Sequence, residues 1–149
     1  MKIAVKEGEK GFKNNHGGPF GAVIIRKGKI IAKAHNEVLK NNDPTCHAEI
    51  QAIRNASKKL KSFNLSDCEL YCICEPCPMC LSAIHWARIK KLYFGCTRKD
   101  AAKIGFDDKL IYDIIKGKAK SKTKKEKINR QECLKIFKEF ESKKDKELY

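Results

Sequence analysis

His47-Ala48-Glu49, answered further along by Pro76-Cys77-Pro78-Met79-Cys80, is the pairing that decides how this chain folds. After His47, residues Ile50, Ile53, Ala56 and Leu60 recur at helical spacing, which predicts a helix beginning near Cys46 with a buried stripe. Cys77 and Cys80 are three residues apart at the start of a second predicted helix, Cys77–Arg88, so they share one face. Pro76 and Pro78 flank Cys77 where a preset φ suits a helix start. Imidazole and thiolate are zinc ligands, and a catalytic zinc keeps three protein ligands with the fourth position open to water. His47, Cys77 and Cys80 are therefore read as ligands for Zn2+, with Glu49 as a carboxylate that moves protons beside the metal. The competing reading is a structural zinc knuckle, because Cys72, Cys74, Cys77 and Cys80 lie close together. A closed cysteine shell has no use for a His-x-Glu on a separate helix, so the catalytic reading is preferred.

Apolar runs outside these helices read as strands. Ala22–Arg26 and Lys29–Ala34 flank Lys27-Gly28, a hairpin signal, and Cys68–Cys74 and Lys91–Cys96 are further strands. Strands alternating with helices predict an α/β layered sheet with parallel pairing after the hairpin. The metal would then sit between two helix N-termini at one edge of that sheet, where thiolate and anionic groups are favoured. Residues 1–14 predict a short, weak helix interrupted by Gly8 and Gly11, and Arg98–Gly105 reads as a loop. Between them, Asn15–Gly21 is a glycine loop that permits close backbone approach, with His16 as a surface residue. Phe20 is either a core aromatic or a platform for a ligand ring. Asn36 is either a turn residue or an amide able to donate to and accept from a base edge. Trp86 reads as core, and Asp107 or Asp108 as the cap of a helix carrying Leu110, Ile111, Ile114 and Ile115. Gly117–Lys127 is a charged linker, after which Asn129-Arg130-Gln131-Glu132 resembles a capping box opening a final helix with Leu134, Phe137 and Phe140 on its apolar face.

Composition narrows the classes. A chain of 149 residues is one domain able to bury a core. Its apolar runs are too short to span a bilayer, and its first residues lack the apolar core of a signal peptide, so the cytoplasm and no membrane are expected. Of its eight cysteines, those outside the metal set read as small buried hydrophobes. The net charge of +15 is spread, with 20 basic against 12 acidic residues in 1–115 and 13 against 6 in 116–149. Lys116–Lys127 contains no aromatic residue, so the excess reads as a solvated face, and nucleic acid is not the expected partner.

From the glycine loop to the helix after Asp108, about two-thirds of the chain resembles the bacterial-type guanine deaminases of the cytidine-deaminase-like superfamily. The matching segments are His16-Gly17-Gly18-Pro19-Phe20-Gly21-Ala22-Val23, Asn41-Asn42-Asp43-Pro44-Thr45, the two metal segments, and Ala83-Ile84-His85-Trp86-Ala87-Arg88. The metal residues are shared with tRNA adenosine deaminases. Gly105-Phe106-Asp107-Asp108-Lys109-Leu110-Ile111-Tyr112 and the terminal Tyr149 point to the guanine branch. The resemblance implies a three-layer α/β/α sandwich around a mixed five-stranded sheet. It implies a hydrolase acting on a cyclic amidine C–N bond, with guanine going to xanthine and ammonia. His47, Cys77 and Cys80 would bind zinc and Glu49 would shuttle the proton. Asn36 and Phe20 would hold and stack the purine base, Asp108 would assist at its amine, Trp86 would line the pocket and Tyr149 would close it. It further implies a homodimer, with residues 1–115 as the deaminase core and 116–149 as a charged linker and helix swapped onto the partner subunit. Guanosine and tRNA adenosine deamination are the enzymatic alternatives, and a zinc-stabilised nucleic-acid-binding module is the non-enzymatic one.

Overall fold

The computed structural model describes residues 1–148; Tyr149, expected to close the pocket, lies outside the described residues. Helix α1 (Lys2–Lys13) is followed by strands β1 (Gly21–Arg26) and β2 (Lys29–His35) and a short helix α2 (Val38–Asn41). Helix α3 (Ala48–Leu60), strand β3 (Cys68–Cys74), helix α4 (Pro78–Trp86) and strand β4 (Lys91–Cys96) come next. Helices α5 (Arg98–Lys103), α6 (Lys109–Ile115) and α7 (Arg130–Ser142) complete the chain.

The predicted hairpin forms at Lys27-Gly28, where both residues adopt positive φ, 48° and 72°. Such a turn matches the right-handed twist of the strands it joins. The sheet runs β2-β1-β3-β4, with β1 antiparallel to β2 and β3, and β3 parallel to β4. It is the expected mixed α/β sheet, with four strands among the described residues where the resemblance implies five.

Alternation along β3 sorts the two faces. Cys68, Leu70, Cys72 and Cys74 are buried, and the first three join a core with Ala22 and Ile24 of β1, Ala48, Ala52 and Ala56 of α3, and Ile84 of α4. The fully buried stripe of α3 is thus made of alanines, which let the helix settle close to the sheet. Ile53 and Leu60, assigned to that stripe by spacing, pack at its border. Against the opposite face lies α1, an unbroken helix rather than an interrupted one. Its glycines explain the difference: a Cβ on Gly8 would meet Ile73 Cδ1 at 2.5 Å, and one on Gly11 would meet His35 Cδ2 at 2.7 Å. Their cost in helix propensity, about 1 kcal/mol each, is offset by close packing on the sheet.

Three other expectations change. The Arg98–Gly105 segment opens with helix α5, because Thr97 and Asp100 form a reciprocal capping box. The box expected at Asn129 does not form, since Asn129 takes φ 47° and makes no side-chain cap bond. Cys46, Cys68, Cys72 and Cys74 are buried as expected, whereas Cys96 and Cys133 are exposed because β4 is an edge strand and α7 is solvated. Gly117–Lys127 carries neither helix nor strand, in keeping with its composition.

Candidate active site

Local turns deliver the metal residues. Asp43 Oδ1 accepts from the Thr45 N–H and the Thr45 hydroxyl, both at 2.7 Å, and this turn brings the chain onto α3. His47 is the N-cap of α3, and Cys77 is the N-cap of α4 with Pro78 at the first helical position. Both helix starts therefore face one point, and His47 Nδ1 lies 3.5 Å from Cys77 Sγ and 3.5 Å from Cys80 Sγ. Zinc–sulfur and zinc–nitrogen bonds of about 2.3 and 2.0–2.1 Å at tetrahedral angles put such donors about 3.5 Å apart. One imidazole and two thiols at this spacing fit zinc. Hydrogen bonds from Cys80 and His47 hold the Cys77 thiol down, to about 4, while its bond to Cys77 and burial push Cys80 up. A metal that binds both as thiolates resolves that imbalance.

Glu49 is buried beside the cluster, accepting from the Cys80 thiol at 3.4 Å. Burial raises its pKa, which suits a group that takes up and returns a proton. A cavity of about 640 Å³ opens next to these residues, and its walls include Phe20, Asn36, Phe106 and Asp108. Phe20 touches both the core and the cavity, its ring edge-on to Phe106 at 4.9 Å between centroids. Asn36 is buried, and its Oδ1 accepts from the Val38 N–H at 3.2 Å. The glycine loop earns its composition here: a Cβ on Gly17 would lie 2.0 Å from Asn36 Oδ1, and one on Gly18 would lie 2.7 Å from Phe106 Cζ.

The two adjacent aspartates divide the work that sequence left open. Asp107 Oδ1 accepts from the Lys109 N–H at 2.8 Å, so it serves the start of α6. Asp108 makes no side-chain cap bond and lines the cavity instead, with Arg98 Nη1 3.6 Å from Oδ1. Burial raises the Asp108 pKa and the Arg98 charge opposes that rise.

Trp86 is neither core nor cavity wall: it is 66% exposed and is not among the cavity's lining residues. It stands at the last position of α4, a helix that buries Pro78, Cys80 and Ile84 instead. Conversely, Arg98 was missed as a site residue. Its guanidinium stacks on Tyr112 at 3.9 Å and reaches Glu75 Oε2 at 3.7 Å as well as Asp108. The Thr97-x-x-Asp100 pattern signals that Arg98 opens a helix, but not that it meets Asp108.

Residues 1–96 match the family described as the cytidine and deoxycytidylate deaminase zinc-binding region. The guanine deaminase of Bacillus subtilis (strain 168) is 50% identical over 123 residues, which cover 83% of this chain and 79% of that protein. The tRNA-specific adenosine deaminase of Buchnera aphidicola subsp. Schizaphis graminum is 40% identical over 140 residues, covering 94% of this chain and 90% of its own. The X-ray structure of the Bacillus subtilis guanine deaminase superposes with a TM-score of 0.92 at 43% identity, covering 99% of this chain and 95% of that one. The chain belongs to the cytidine and deoxycytidylate deaminase family of zinc enzymes, on the branch that holds the Bacillus guanine deaminase.

Proposed function

We propose that this chain hydrolyses the amino group of guanine, giving xanthine and ammonia. The observation that carries the reading is Asp108, a carboxylate released from capping and set in the same cavity as Glu49, His47 and Cys77. When bound, zinc supplies a water made nucleophilic at neutral pH. Glu49 would relay two protons, the first from the attacking water to the ring nitrogen beside C2 and the second from the hydroxyl then on C2 to the departing amine. Oxygen is gained at C2, the C2–N bond breaks, and one water is consumed for each ammonia released. Guanine carries N–H donors around C2, so an ionised Asp108 accepts from them. Adenine has an acceptor nitrogen beside its reacting carbon and gains nothing from a second carboxylate. Asn36 pairs with a polar edge of the base, while Phe20 and Phe106 supply an apolar wall that excludes water.

The C-terminal segment belongs to the same proposal. Residues 1–115 act as the deaminase core, and 116–149 carry α7 across to a second copy of the chain, where Tyr149 closes the pocket. Support comes from α7 itself, which leaves Ile136, Phe137 and Phe140 exposed on an amphipathic helix. Eight cysteines with no disulfide among the described residues suit a reducing compartment, and the cytoplasm is proposed as the location. No helix among the described residues is long and apolar enough to cross a membrane.

Ammonia release from guanine, guanosine and an anticodon stem-loop tests the substrate. Guanine is expected to turn over fastest. Preference for the stem-loop would move the chain to the tRNA adenosine reading, which its 40% identity to a tRNA-specific adenosine deaminase makes the relevant rival.

A further inference from the structure

His16, read from sequence as a surface residue, is half-buried and meets His35 nearly edge to edge, with ring centroids 5.1 Å apart. His35 ends β2 and is only 8% exposed. Its Nε2 lies 2.9 Å from His16 Nδ1 and 3.6 Å from Glu37 Oε1. Its other nitrogen, Nδ1, faces the buried Glu7 Oε2 at 3.6 Å and makes no hydrogen bond. The nearest donor atoms of His16, His35 and Glu37 all fall within 4.8 Å of one another, the same limit that the His47, Cys77 and Cys80 set meets.

We propose that His16 Nδ1, His35 Nε2 and Glu37 Oε1 form a second metal site, taking a first-row divalent ion such as zinc, with water completing the shell. Two imidazoles and one carboxylate are a donor set for such ions. Metal–ligand distances of about 2.0–2.2 Å at tetrahedral angles separate donors by about 3.3 Å. The 2.9 and 3.6 Å spacings bracket that value, and the third, from His16 to Glu37, lies within 4.8 Å, so closing the shell requires movement at His16. His16 can make that shift by side-chain rotation, while its backbone stays held by Gly11, Leu39 and Lys40.

Proton placement is compatible with the ion. With Nε2 giving its lone pair to a metal, the His35 proton stays on Nδ1 and points at the Glu7 carboxylate. A carboxylate behind a metal-ligating imidazole fixes the ring and raises its basicity.

The charged neighbours permit binding. Gln51 Nε2 holds Glu37 Oε2 at 2.9 Å and leaves Oε1 to Lys40 at 2.6 Å. Lys40 is exposed, so its pair with Glu37 is weak and easily released. Lys33 pairs with Glu7 Oε1 at 2.7 Å, leaving Oε2 for His35. The ion would clamp the glycine loop to the end of β2 on either side of Asn36. The inference does not depend on which base is deaminated.

The test uses the full chain, stripped of metal and titrated with zinc and, separately, with cobalt. About two zinc ions per chain are expected at saturation. Cobalt should show one ion with a thiolate charge-transfer band, from the His47, Cys77 and Cys80 set, and one without. His16→Ala should remove only the ion that lacks the thiolate band, and Glu37→Gln should weaken it by roughly tenfold or more. Thermal unfolding of the zinc-loaded variants checks that each is folded. A single ion in the unaltered chain would leave these residues as a hydrogen-bonded network and overturn the proposal. So would a second ion whose affinity survives His16→Ala, because it would then sit elsewhere.

Discussion

Strands β1 and β3 bury side chains against α3 and α4, whereas α6 and α7 leave theirs in water. Ile24 and Leu70 are fully buried, while Ile115 and Phe137 are 66% and 69% exposed. Both regions are amphipathic, so pattern alone does not separate them. What differs is the presence of a facing surface within the described chain. The first region has α3 and the sheet to close on, and its chemistry is anchored at two helix starts. The second carries an apolar face that nothing in the described chain covers, which is the physical basis for the proposal that α7 meets a second copy.

The sharpest break in this contrast would come from the metal residues. Cys77→Ala or Cys80→Ala should remove zinc and fold stability together, because the metal ties α3 to α4; metal analysis with thermal unfolding reads both. An unchanged zinc content in either variant would remove that residue from the ligand set. Glu49→Ala should keep zinc and fold yet lower guanine turnover by at least about 10²-fold, the usual contribution of a general acid–base group. Near-normal turnover in a zinc-loaded variant would take Glu49 out of the reaction.

Next in size is the tail. Deleting Leu148 and Tyr149 should sharply reduce guanine turnover with zinc content and oligomeric state unchanged. Mixing the truncated chain with the Glu49→Ala chain should restore activity, since a full tail from the inactive subunit can cover the intact pocket of the truncated one. If subunits exchange and activity stays low, the tail serves its own subunit and the two-region contrast loses its functional meaning.

The smallest effect concerns Arg98. Its charge opposes the rise that burial imposes on Asp108, so Arg98→Leu should raise the Asp108 pKa further. An ionised Asp108 is the form that accepts from guanine. The acid limb of the turnover profile should therefore move to higher pH, with turnover at high pH less affected. A limb that stays in place would confine Arg98 to packing on Tyr112.

Much of this was legible in the sequence for local reasons. The ligand spacing, the hairpin at Lys27-Gly28 and the charged linker each depend on neighbours along the chain. Residues whose roles depend on distant contacts were not. Trp86 looked like core by residue type and stands exposed, because α4 turns Pro78, Cys80 and Ile84 inward instead. Gly8 and Gly11 looked like helix breakers and are contact surfaces, which only the sheet against α1 reveals. His16 and Arg98 gained partners nineteen and ten residues away, His35 and Asp108, beyond any local pattern. Asp107 and Asp108 were indistinguishable as caps until the backbone chose the first.

That choice gives the most direct test of the central claim, that Asp108 serves guanine and not the helix. Guanine-dependent ammonia release should be measured for the zinc-loaded chain and for Asp108→Asn, alongside thermal unfolding of both. A helix cap keeps most of its value as asparagine, whereas a carboxylate in contact with substrate loses its charge. The account predicts turnover lowered by roughly tenfold or more with the unfolding temperature and zinc content unchanged, the loss of one charge-assisted bond being about 1.5–3 kcal/mol. Equal turnover in the two proteins, or a fall matched by lost stability, would contradict it.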